Sequence, residues 1–213
     1  WPADTVVWAS ANKWLRPLAH YGLGLLMVTQ RSAGGNTTYF FGENYQFGLK
    51  KYFPIVYFLK EALPFWILLA LSIGAGVFFR RKNGTAFTNP FLFHSMVLLW
   101  GWLILYWYTS ITSHLNIGVR HLLPTYGAVF ILMTGGIKNT LKNLKTKFVV
   151  ILLLTWYAAE AFLTFPHYLS YFNQIIGGSA KGSRAVADSN LDWGQDLKRL
   201  ADWVTENNIE KIY

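Results

Sequence analysis

At 213 residues, with 53% hydrophobic and only 14% charged residues, the chain has too little charge for an ordinary soluble surface. Its net charge of +9 forms no continuous basic face, which argues against nucleic acid as a partner and for a membrane protein with cytoplasmic lysines. The absence of cysteine excludes disulfides, thiol chemistry and cysteine metal sites.

The chain opens on Trp1-Pro2-Ala3-Asp4, without an initiator Met or the basic n-region of a signal peptide, and both ends are expected to continue in a longer protein. Residues 18–29 are apolar but short, and read as a helix end or as a re-entrant or interfacial piece. Gly34-Gly35-Asn36 marks a turn. Lys50-Lys51-Tyr52-Phe53-Pro54, followed by Lys60-Glu61, reads as an aromatic and basic shelf at a membrane surface.

Four spans are predicted beyond that shelf, at about 62–79, 91–110, 122–137 and 148–165. Arg80-Arg81-Lys82 stops the first, and Trp100, Trp102, Tyr106, Trp107 and Tyr108 form an aromatic girdle at the exit of the second. The third is short for a hydrocarbon layer of about 30 Å, and no span is expected to carry a clear mid-membrane charge. The linkers 80–90 and 138–147 hold seven basic residues (Arg80, Arg81, Lys82, Lys138, Lys142, Lys145, Lys147) and no acidic one. That bias is the positive-inside signature, so both linkers are expected in the cytoplasm and segments 1–61, 111–121 and 166–213 outside. The division that follows is an extracytoplasmic or interfacial segment 1–61, a membrane domain 62–165 and an extracytoplasmic tail 166–213.

In the tail, a helix is expected from Asp192, where Asp192 and Gln195 make a capping-box pair. Trp193, Leu197, Leu200 or Ala201, and Val204 share its apolar face. Asn207-Asn208 ends the helix, and Ile209–Tyr213 is expected to begin a strand, the opening of a small water-facing α/β element.

Few residues point to chemistry. Arg120-His121 lies in an outer loop just before a span, where a guanidinium can fork two hydrogen bonds to a phosphate; interfacial snorkelling accounts for the same position. Glu43 is a lone acid among aromatics and glycine, a candidate general base or simply a loop carboxylate. Lys60 is a candidate for neutralising a phosphate, although Glu61 adjoins it. Asp188, Asp192 and Asp196 recur every four residues and would suggest a divalent metal on a helix face, but capping and solvation explain them as well. Asn36-Thr37-Thr38 and Asn83-Gly84-Thr85 match the glycan-acceptor pattern. His94 and His114 have no convincing ligand partner.

An ordered series of strings covers nearly the whole chain: Tyr39-Phe-Phe-Gly-Glu43, Tyr52-Phe-Pro54 with Leu59-Lys60, Gly118-Val-Arg-His-Leu-Leu-Pro124, His167-Tyr-Leu-Ser-Tyr-Phe-Asn173 with Gly177-Gly178, and Asp188-Ser-Asn-Leu-Asp-Trp-Gly-Gln-Asp-Leu197. Together they resemble the C-terminal half of a bacterial phospholipid-carrier-dependent membrane glycosyltransferase, of the kind related to protein O-mannosyltransferases and aminoarabinose transferases. The resemblance implies an all-α polytopic membrane protein of GT-C type in the bacterial inner membrane. Its substrates would be a polyprenyl-phosphate-linked sugar and an acceptor protein, lipid or glycan. It further implies that Arg120, supported by His121 and Lys60, holds the donor phosphate. The family's principal catalytic acid lies in a first large outer loop that precedes everything present here, so the fragment alone is expected to be inactive. A lipid-phosphate transporter or flippase, or a noncatalytic membrane scaffold, remains the alternative.

Overall fold

The computed structural model describes residues 2–83, 90–138 and 140–211, with the side chains of residues 2 and 79–83 set aside. It is 72% helical, with one small two-stranded sheet. Helices α1 (Pro2–Ala11) and α2 (Arg16–Gly34) pack on each other, and α2 buries only Ala19. The apolar stretch 18–29 is thus the middle of a 19-residue helix. It ends at the predicted glycine turn, where Gly35 takes a φ of 72°.

A β-hairpin follows, with β1 (Thr38–Phe40) and β2 (Glu43–Tyr45) paired antiparallel across a two-residue turn. Phe41 and Gly42 both have positive φ, the requirement of the tight hairpin turn whose twist matches that of its strands. The only sheet among the described residues therefore lies here; of the expected tail strand, Ile209–Lys211 is coil, and residues 212–213 lie outside the described residues.

Helix α3 (Tyr52–Lys60) buries Tyr52, Phe53, Val56, Tyr57 and Leu59. It meets α4 (Leu63–Asn83) at an elbow of 109°. Helices α5 (Pro90–Thr112), α6 (Leu123–Ile137) and α7 (Leu144–Thr164) complete a bundle in which α4 packs on α6 and α7, and α5 on α6. The approach of α4 to α6 depends on a small residue: a Cβ on Gly136 would stand 2.7 Å from the Ser72 carbonyl oxygen.

Helices α5 and α7 are long and apolar enough to cross a membrane, and α3 with α4 meets that test only as one bent pair. Helix α6 has 15 residues. At 1.5 Å per residue it reaches roughly 22 Å, short of a hydrocarbon layer. Arg80, Arg81 and Lys82 close α4, with their side chains outside the description, whereas Lys138, Lys142, Lys145 and Lys147 are exposed.

The start of α4, the end of α5, the start of α6 and the end of α7 share one end of the bundle, here called the head. Phe65 of α4 meets Phe130 of α6, and the Trp102 Nε1 of α5 donates to the Pro124 carbonyl of α6 at 3.1 Å. The hairpin, α3 and the tail cover this end. Phe41 donates its N–H to Ala185, a β-bridge joins Phe40 to Val186, and Phe40, Tyr52, Val56, Leu122, Phe172, Ala185 and Val186 are buried in one cluster.

Candidate functional site at the head of the bundle

Asn190, 1% exposed, is the centre of the head. Its side-chain Nδ2 donates to Tyr52 Oη at 2.8 Å and to the Ala187 carbonyl at 3.3 Å, while its Oδ1 accepts the Val119 N–H at 3.2 Å. Its own carbonyl accepts from the Lys60 ammonium. One residue therefore joins α3, the loop before α6, and the tail. Beside it, Gly118 adopts a φ of 122°, and a Cβ there would lie 2.8 Å from Ser189 Oγ. The loop needs glycine for both reasons, conformation and space.

Lys60 also donates to the Leu169 carbonyl, and its ammonium lies 4.1 Å from the centre of the Phe172 ring. Burial pushes its pKa down to about 7. Asn173, fully buried, donates its Nδ2 to the carbonyls of Phe58 and Glu61 and its backbone N–H to Leu59, closing the C-terminus of α3. Lys60 and Asn173 are thus a paired clamp from α3 onto residues 169–190.

The loop from Val119 to Leu122 is a turn of 3-10 helix that carries Arg120 and His121. The Arg120 guanidinium lies 5.0 Å from the Trp193 ring, and among the described residues no hydrogen bond or ion pair engages it. Trp193 is fixed in turn by donation from its Nε1 to the Ser189 carbonyl at 2.6 Å. His121 Nε2 is buried without a hydrogen-bond partner among the described residues. Burial, reinforced by the neighbouring Arg120 charge, lowers the His121 pKa and favours neutral imidazole. The loop thus offers a forked cation on an aromatic plate and one unengaged ring nitrogen.

A second arrangement lies where α7 ends. A cavity of about 200 Å³ is lined by Lys60, Glu61, Tyr157, Glu160, Tyr168 and Tyr171, among others. Glu160 sits inside α7 but one turn from its end, away from the middle of the span. Its Oε1 accepts from Trp156 Nε1 at 2.9 Å and from Gln174, and its Oε2 accepts from Tyr171 at 3.3 Å. Glu61, buried at the elbow, accepts from the Tyr126 hydroxyl. Burial raises its pKa, and that hydrogen bond, which favours the charged form, opposes the rise. A clue to Glu160 was present in the sequence as the lone acid within the apolar run 148–165; its partners at 171 and 174 were not visible there.

The other candidates lie apart. Glu43 accepts from the Tyr45 hydroxyl and, with Phe40, Phe41, Tyr45, Lys51 and Ile55, lines an open cavity of about 370 Å³ on the hairpin. The tail helix α9 (Leu197–Glu206) starts later than predicted. Gly194 has a φ of 87°, and Asp192 and Gln195 accept the N–H groups of Gly194 and Trp193 in turns ahead of the helix. Trp193 therefore faces Arg120 from a turn rather than lying on a helix face. Asp188 lies in a separate 3-10 turn, Asp192 in the turn that follows, and Asp196 pairs with Arg199 at 3.0 Å. No group of three potential metal ligands comes together among the described residues. A short helix, α8 (Ser179–Gly182), completes the tail.

Fold and site together define a predominantly helical protein with two candidate membrane-spanning helices and a polar head over one end of the bundle. The chain matches no family model, no curated protein and no solved structure.

Proposed function

We propose that this chain forms the carrier-lipid side of a GT-C membrane glycosyltransferase that acts on the extracytoplasmic face, with four crossings and the head facing outward. The observation that carries the reading is the unengaged Arg120 guanidinium on Trp193, next to the partnerless Nε2 of His121. In transfer with inversion, the bond from the anomeric carbon to the phosphate oxygen breaks as the acceptor oxygen bonds from the opposite face. Negative charge then collects on the departing polyprenyl phosphate, where a forked guanidinium is the suited partner. The acceptor's proton goes to a carboxylate that the reading places in an earlier outer loop of the full-length protein.

Lys60 enters this reading differently from Arg120. Its ammonium is engaged by two carbonyls and an aromatic ring, which suits it to holding the head together. The Glu160 cavity offers free acceptor positions on two carboxylates, a setting for sugar or acceptor hydroxyls rather than for phosphate.

The test is transfer from a labelled polyprenyl-phosphate sugar by the full-length protein in membranes, beside its Arg120→Ala variant. Transfer by the parent and loss in a normally inserted variant are expected. No transfer across a panel of sugars, despite normal insertion, would overturn the reading. Lipid-phosphate transport is the second reading, favoured by Glu160 as a carboxylate within a candidate span. Its place one turn from the helix end favours the head over a mid-membrane pathway.

A further inference from the structure

Helix α9 is ten residues long and buries none of them. Leu197, Leu200, Ala201 and Val204 line one side, with Trp203 at its edge, while Lys198, Asp202 and Glu206 occupy the opposite side. Trp193, Leu197, Leu200 and Trp203 are each between 43% and 64% exposed. An apolar stripe of this size on a free helix calls for an occupant.

Its position indicates which one. Arg199, in the first turn of α9, lies 3.0 Å through Nη1 from His167 Nδ1. His167 follows the last residue of α7, Thr164, by three positions, so α9 is tied to the point where a candidate membrane helix ends. The last turn of α7 and the residues after it are themselves apolar and open: Phe162 and Leu163 are 80% and 85% exposed, and Phe165 and Tyr168 are exposed beside them. Apolar side chains are therefore exposed both on α9 and at the end of α7 to which Arg199, on the other side of α9, ties it. Tryptophans at such a level suit the boundary between headgroups and acyl chains.

We infer that α9 is an interfacial helix, lying in the surface of the bilayer that α7 crosses, with Leu197, Leu200 and Trp203 in the headgroup–acyl boundary. A helix of this kind settles about 5–10 Å into the boundary and keeps its charged face in water. The inference does not depend on the glycosyl-transfer reading.

The 213 residues contain no cysteine, so single nitroxide labels can be placed at Leu197→Cys, Leu200→Cys and, on the polar face, Lys198→Cys, with any cysteine elsewhere in the full-length protein replaced by serine. All three positions are exposed, which leaves the packed head intact. The full-length labelled protein is reconstituted in vesicles of phosphatidylethanolamine and phosphatidylglycerol, and collisions with oxygen and with a water-soluble nickel chelate are measured. The expected result is an oxygen-to-nickel ratio several-fold higher at 197 and 200 than at 198. Equal ratios at all three positions would place α9 in water and overturn the inference. Shielding of 197 and 200 from both reagents would overturn it too, by showing that protein covers the stripe.

Discussion

Asn190 shows how much of the head rests on single side chains. Replacing it with alanine leaves the Val119 N–H and the Tyr52 hydroxyl without their partners, while the carbonyl that receives Lys60 is retained. Each buried polar group left unmatched costs about 1–3 kcal/mol, so Asn190→Ala should lower the thermal midpoint of the detergent-solubilised protein measurably. Lys60 makes a prediction with a definite sign. Its pKa is 10.5 in the unfolded reference and about 7 in the fold, so the unfolded chain binds the extra proton between those values. The cost of burying the ammonium is fully present below pH 7 and falls away as pH rises, so stability should increase from pH 7 towards pH 9. Thermal melts at the two pH values should show that rise in the parent and a smaller one in Lys60→Met. An unchanged rise would disconnect it from Lys60.

At the level of elements, legibility followed periodicity. The four long apolar runs each became a helix close to the predicted bounds, because hydrophobic length is written locally. The end of α9 was also local: Asn207-Asn208 terminates it, with Asn208 in the left-handed region. Its start was misplaced because Asp192 and Gln195 cap turns as readily as helices, and Gly194 breaks the first turn. The hairpin at 38–45 went unpredicted because its strands are three residues long and are held partly by residues 185–186. At the site, Arg120 and His121 were visible as a charged pair before a span. The stacking on Trp193 was not, since it joins segments more than seventy residues apart. Gly118 supplies an element-level prediction: Gly118→Ala combines positive φ with a clash at Ser189, and should destabilise the protein by more than about 1 kcal/mol. Denaturant unfolding of that variant against Gly42→Ala, where φ is 90° but the space is open, separates backbone strain from crowding.

For the whole molecule, the bundle sets the basic linker and the head apart. The exposed lysines at 138–147 join α6 to α7 away from the head, while the tail lies over it. If the head faces outward, Ser179→Cys should react with an impermeant maleimide on intact cells and Lys145→Cys only after permeabilisation. The reverse pattern would invert the orientation and place Arg120 on the cytoplasmic side.

The clamp from Lys60 also imposes an order of events during synthesis. Its two carbonyl partners come 109 and 130 residues later in the chain. At roughly 5–20 residues per second, the ammonium on the α3 elbow waits on the order of 5–26 s after emerging before residues 169 and 190 exist to receive it. Through that interval the elbow has neither its lysine contacts nor the Asn173 closure, while α4 to α7 are already being made. The head therefore closes after the helices of the bundle have been made, and a nascent protein arrested before residue 173 would hold those helices with an unfinished mouth.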